Sequence, residues 1–149
     1  MIRERIKRLA PIRRFAVRET EAAVMRLAEA ERNVAAARST LTELIDYRAG
    51  YADVGLQGSA WQSQRWSDYR AFVGKLDLAI EQQQDVIQQF ELQRDAVRRE
   101  WAEKKAREDA LEHLCERLQH QHDLELTARE QKELDEIAMQ RPRSMPFAG

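Results

Sequence analysis

A three-four spacing runs with one lapse from Ala16 to Leu118, and it constrains the fold more than any other feature of the chain. In the first half it picks out Ala16, Thr20, Ala23, Leu27, Ala30, Val34, Ala37, Leu41, Leu44, Arg48 and Tyr51. In the second half it picks out Trp66, Tyr69, Val73, Leu76, Ile80, Gln83, Ile87, Phe90, Arg94, Val97, Trp101, Lys104, Glu108, Leu111, Cys115 and Leu118. Such spacing keeps one stripe of each helix facing a partner, as in a coiled coil. The pattern lapses through ADVGLQGS, and Ser59 with Gln62 three residues later forms a capping box that opens a second helix. The fold read from this is all-α: a long antiparallel two-helix coiled-coil hairpin with an overhanging second helix.

The distribution of helix breakers agrees. Glycine falls around the bend at Gly50, Gly55 and Gly58, with Gly74 and Gly149 elsewhere, and proline only at Pro11, Pro142 and Pro146. The spacing predicts a single domain over 1–149, with helix one over about 3–52, a turn over about 53–59, helix two over about 60–139 and a disordered tail over about 140–149. Pro11 lacks a backbone donor and clashes with the turn before it. It is therefore expected in the first turn of the main helix, with preceding residues frayed or kinked.

An antiparallel hairpin aligns seam positions whose numbers add to a constant. A sum of about 117 sets Ala16 against Trp101, Ala37 against Ile80 and Leu41 against Leu76, so that small residues face large ones. A sum of about 110 sets Ala23 against Ile87 and Leu44 against Trp66 and packs nearly as well, so both registers stay open. At 1.5 Å per residue, helix one spans roughly 65–75 Å and helix two roughly 120 Å. Helix two therefore overhangs beyond about Leu111 to Cys115, where Leu114, Leu118, Leu124, Leu126, Leu134 and Ile137 still recur. That arm frays or is covered by another protein.

A two-helix hairpin has almost no interior in which to hold catalytic groups, and there is no phosphate loop, nucleophile elbow or paired-carboxylate signature, so the chain is not expected to be an enzyme. His113, Cys115, His120 and His122 are possible zinc ligands, but no pair of them has the i,i+3 or i,i+4 spacing that would let two converge from one helix; no metal or cofactor is expected. The single cysteine excludes an internal disulfide, and no apolar run resembles a signal peptide or a membrane span. Together these features predict a soluble, cytosolic chain that meets membranes only through partners. The net charge of −1 leaves no global excess for nucleic acid. Locally, however, Arg3, Arg5, Lys7, Arg8, Arg13, Arg14 and Arg18 crowd the start of the chain. Compensation by acidic residues of helix two, or contact with an acidic protein, accounts for them better than nucleic acid or lipid does.

The sharper signal lies beside the seam. With Val34, Leu41 and Arg48 as a positions, Tyr47 is g; with Val73, Ile80 and Ile87 as a positions, Phe72, Ala79 and Val86 are g. In antiparallel pairing these positions share one side, so Tyr47 and Phe72 converge near the bend, flanked by Leu44, Tyr51 and Leu76. They either widen a thin core or form a protein-recognition patch. On this reading Leu44 and Leu76 chiefly pack, while Tyr47, Phe72 and Ala79 are available to a partner.

The runs LIDYRAGY, QRWSDYRAFVGKLDLAIEQQ and REWAEKKAREDALEHL resemble the flagellar protein FliJ family, over nearly the whole chain. The most specific part is Leu44 to Gln83, with its D-Y-x-x-x-Y and R-W-x-x-Y-x-x-F spacings. The resemblance implies a non-enzymatic, stalk-like coiled coil of the flagellar type III export apparatus, similar to the central stalk of rotary ATP synthases. It implies binding to the hexameric export ATPase and to the cytoplasmic region of the export-gate membrane protein, cycling of export chaperones, and a cytoplasmic place at the inner-membrane apparatus. The gate contact it implies maps to Leu44, Tyr47, Tyr51, Phe72, Leu76, Ala79 and Gln83, the last standing where some relatives have histidine. By the stalk comparison, the ATPase ring would receive the opposite end, with Arg5, Arg8, Arg13, Leu114, Leu118, Leu124 and Leu126. The same layout would serve the stalk of an injectisome. The competing class is a nucleic-acid- or membrane-surface-binding coiled coil that uses the basic arm.

Overall fold

The computed structural model describes residues 1–57 and 63–140, with side chains described outside 54–57. Two helices account for all of them but Met1, α1 over Ile2–Gln57 and α2 over Ser63–Gln140. The expected capping box at Ser59 and Gln62 lies outside the described residues, and the expected turn over about 53–59 and tail over about 140–149 lie partly outside them.

The chain divides into two units, one of residues 1–19 with 104–149 and the other of residues 20–103. In the second unit the helices are antiparallel, because cross-helix partners fall along α2 as they rise along α1. Arg26 pairs with Glu100 at 2.7 Å, Glu31 with Arg98 at 3.5 Å, Arg38 with Glu91 at 3.1 Å, and Arg48 with Asp77. The first unit has the same sense, with Arg13 on Glu112 at 3.6 Å and Glu19 on Lys104 at 2.9 Å. Each pair is partly solvated and contributes little stability, but together they oppose sliding of one helix along the other.

The seam is the one that the spacing predicts. Ala16, Ala23, Val34, Ala37, Leu76, Ile87 and Leu118 are buried, with Thr20 among them, and the remaining seam positions are half-buried except Trp66. Partner numbers across the helices add to between 119 and 129. Helical side chains lean toward their own N-terminus, so touching tips in an antiparallel pair exceed the backbone-level sum by a few residues. The register of 110 is therefore not formed. The pairing of Leu44 with Trp66 belongs to that register, and Trp66 is 42% exposed. Its ring stacks instead on Tyr69 of its own helix, at 5.5 Å between centroids.

The helix ends differ from expectation in three places. α1 begins at Ile2 and carries Pro11 in its interior. The first turns hold because Ile2, Ile6 and Leu9 are half-buried, and that apolar burial offsets the ~3 kcal/mol that an interior proline costs. α1 also continues to Gln57, five residues beyond the expected end. Losing the seam pattern removes burial, not helix preference, and Gly55 alone costs only about 1 kcal/mol. Finally, Leu118 is 4% exposed and Leu114 half-buried, so α2 is covered further along than Leu111 to Cys115. The early start of α1 supplies that cover. From Asp123 to Gln140 every residue is exposed, and there the overhang begins.

Candidate docking surface

Within the second unit, Tyr47, Tyr51 and Phe72 form one aromatic cluster. Tyr47 and Tyr51 are neighbours on α1 because four residues make about one turn. Their rings meet edge to face at 5.0 Å and their hydroxyls lie 3.2 Å apart. Phe72 reaches across from α2, 4.7 Å from Tyr51 and 6.3 Å from Tyr47 between centroids. Tyr51 and Phe72 are half-buried, whereas Tyr47 is 53% exposed. A shallow depression of about 320 Å³ beside them is lined by Asp46, Tyr47, Gly50 and Tyr51. Gly50 faces open space there, since a Cβ on it would meet nothing within 4 Å.

The rest of the expected gate set divides by depth. Leu76 is 8% exposed and Leu44 half-buried, both on the seam; Ala79 is half-buried beside it. Gln83 is half-buried too, and its amide donates to the Ala37 carbonyl at 2.9 Å, so its polar end is spent inside the hairpin. The cluster is anchored from below by Tyr69, whose hydroxyl donates to the Tyr51 carbonyl at 2.8 Å, and at its side by the Arg48–Asp77 pair. Hydrogen bonding to Tyr47, then electrostatic interaction with it, then burial, raise the Tyr51 hydroxyl above tyrosine's ordinary pKa. The Asp77 carboxylate likewise raises that of Arg48, first by hydrogen bonding and then by charge. Sequence reasoning missed the Gly50 depression and the Tyr69 anchor. The i,i+3 and i,i+4 relation of Tyr47 to Gly50 and Tyr51 was the available signal for the first.

The residues assigned to the other end lie in the first unit. Arg5 is exposed, Arg8 pairs with Glu4 at 4.0 Å, and Arg13 pairs with Glu112. Leu118 belongs to the core, which corrects its place among uncovered residues; Leu124 is 56% and Leu126 is 42% exposed. His113, Glu116, Arg117, His120 and Gln121 line a groove of about 550 Å³, with His113 Nδ1 at 3.6 Å from Glu116. Cys115 is a half-buried free thiol. Among the described residues no group of three His, Cys, Asp or Glu side chains could hold a metal ion, and no helix is long and apolar enough to cross a membrane.

The family model for the flagellar FliJ protein matches residues 5–145. The chain belongs to the FliJ family. It is 32% identical to the flagellar FliJ protein of Escherichia coli strain K12 over 140 residues, covering 93% of this chain and 95% of that relative. It is 30% identical to the flagellar FliJ protein of Salmonella typhi over the same shares. No solved structure matches. Membership in the FliJ family implies a component of the flagellar export apparatus, and the relatives carry names of flagellar proteins rather than of enzymes.

Proposed function

We propose that this FliJ-family chain is a non-catalytic adaptor of the flagellar export apparatus, a stalk-like coiled coil that couples the hexameric export ATPase to the cytoplasmic region of the export-gate membrane protein. The observation that carries this reading is the Tyr47, Tyr51 and Phe72 cluster: three aromatic rings brought together from two helices at the edge of the seam, with Tyr47 more than half exposed. Aromatic side chains of this kind, rigid and partly apolar, are typical anchors of protein recognition. The gate partner docks on Tyr47 and the depression beside it. The ring takes the first unit, through the basic start of α1 and the exposed end of α2, and the export chaperones are exchanged on the assembled protein. The chain works in the cytoplasm, at the membrane only through these partners. The ion pair of Arg13 with Glu112 favours internal compensation of the basic arm over nucleic acid as its purpose.

Capture of partners from cytosol and solubilised membranes tests the reading. Tyr47→Ala and Phe72→Ala are expected to lose the gate protein while retaining the ATPase and the helicity of the parent. Truncation after His122 is expected to do the converse. Retention of the gate protein by both aromatic variants, or of ATPase binding and stimulation by the truncation, would sink the corresponding half.

A further inference from the structure

The exposed end of α2 and the outer side of the start of α1 complement each other, and both belong to the same unit. Beyond His122 the seam positions turn polar, as Glu125, Arg129, Lys132 and Glu136, so the overhang does not simply extend the hairpin's own interface. Three of its apolar residues fall on a different stripe: Leu126, Leu134 and Ile137, with Glu130 between them, at spacings of four, four and three. All are exposed. Over 123–140 there are six acidic residues and two basic ones. The start of α1 has the opposite balance, seven basic and one acidic over 1–18. Off its seam it too carries a stripe, Arg5, Arg8, Ile12 and Phe15, at spacings of three, four and three, and again all exposed. The Arg8 contact with Glu4 is long and solvated, and it offers little resistance to exchange of partners.

Laid parallel with an offset of 122 residues, the last three positions of the two stripes match: Arg8 meets Glu130, Ile12 meets Leu134, and Phe15 meets Ile137. Within one chain this pairing is impossible, because α1 and α2 run antiparallel and the overhang starts where α1 ends its cover. Between two chains it closes. A second copy turned through a two-fold axis lays its overhang on the first copy's α1 while receiving the first copy's overhang on its own. Each chain contributes one stripe of each kind, and the 18 residues of the overhang match in length the 18 residues of the basic arm.

We infer that the free protein self-associates into a two-fold dimer through reciprocal pairing of the 123–140 overhang with the outer face of residues 1–18, a second copy of this chain covering the surface that a single copy leaves exposed. This inference does not rest on the ATPase or gate contacts.

Sedimentation equilibrium of the full chain, from roughly 1 to 100 µM at low salt, is the test. The weight-average mass is expected to climb from 17.4 kDa toward twice that value, and to fall back as salt is raised. Leu134→Glu and Ile137→Glu are expected to weaken association by more than about tenfold with no change in helicity, because neither side chain is packed in the monomer. Arg8→Glu and Glu130→Arg each weaken it by about fivefold or more, while the double reversal in one chain restores it, since each reversed residue then meets its complement in the other copy. A mass that stays at 17.4 kDa throughout overturns the inference. So does a dimer insensitive to the two glutamate substitutions, or one that the double reversal fails to restore.

Discussion

Gln83 donates from its side-chain amide to the backbone carbonyl of Ala37, 2.9 Å away on the other helix. The contact is possible because Ala37 has no bulk to keep a glutamine stem from the α1 backbone, and because a helical carbonyl has a second lone pair to offer. A polar residue in a seam lowers stability but penalises every register in which its partner is missing. Replacing Gln83 by leucine is therefore expected to raise the thermal midpoint by a few degrees, corresponding to roughly 1 kcal/mol. Replacing it by alanine should lower the midpoint by a similar amount, and calorimetry of the two variants checks the pair.

Leu118 and Leu124 lie six residues apart on α2, one packed and one exposed. Leu118→Ala should cost about 2–3 kcal/mol, by lost burial and the cavity left behind. Leu124→Ala should change stability by less than about 0.5 kcal/mol. Denaturant unfolding that found the two substitutions equal would move the boundary of the covered region.

Gly50 and the tyrosines beside it separate folding from docking. A methyl group at Gly50 meets nothing within 4 Å, so Gly50→Ala should stabilise α1 by about 0.5–1 kcal/mol through helix preference alone. The same methyl group intrudes on the depression lined by Asp46, Tyr47 and Tyr51. The variant is expected to melt later and to capture less of the gate protein, measured on the same preparations.

Tyr51 should ionise later than an ordinary tyrosine. Its pKa is raised from 10.0, chiefly by the hydrogen bond with Tyr47. A phenol that holds its proton more tightly in the folded state adds stability that is fully present below the unfolded pKa. That contribution is lost as pH rises through the folded value. Tyr47→Phe removes the largest cause, so Tyr51 should then titrate closer to 10.0, as followed by the pH dependence of its ring resonances.

The seam was the legible part of this chain. Period alone identifies which side of each helix is covered, and residues as polar as Arg48, Gln83 and Lys104 are half-buried where it puts them. Trp66 is the exception, since its indole stacks on Tyr69 rather than entering the seam. Helix ends were less legible, because they depend on balances of about 1–3 kcal/mol that a pattern does not weigh: Pro11 against the burial of Ile6 and Leu9, and Gly55 against its neighbours. The aromatic cluster followed from heptad phase as far as the meeting of Tyr47 with Phe72. Its ring geometry and its anchoring by Tyr69 depend on side-chain reach, about which periodicity is silent.

The seam side of α1 carries alanine in several layers, with Ala16, Ala23 and Ala37 all but inaccessible, while Leu76 and Ile87 supply buried bulk from α2. The two helices consequently tolerate opposite errors. Enlarging an alanine on α1 wedges the backbones apart, whereas trimming an aliphatic residue on α2 leaves a hole that nothing can fill. Sequence drift is therefore lopsided in those layers: α1 must stay slender at its alanines, α2 must stay stout at Leu76 and Ile87, and a compensating exchange has to change both sides of a layer at once.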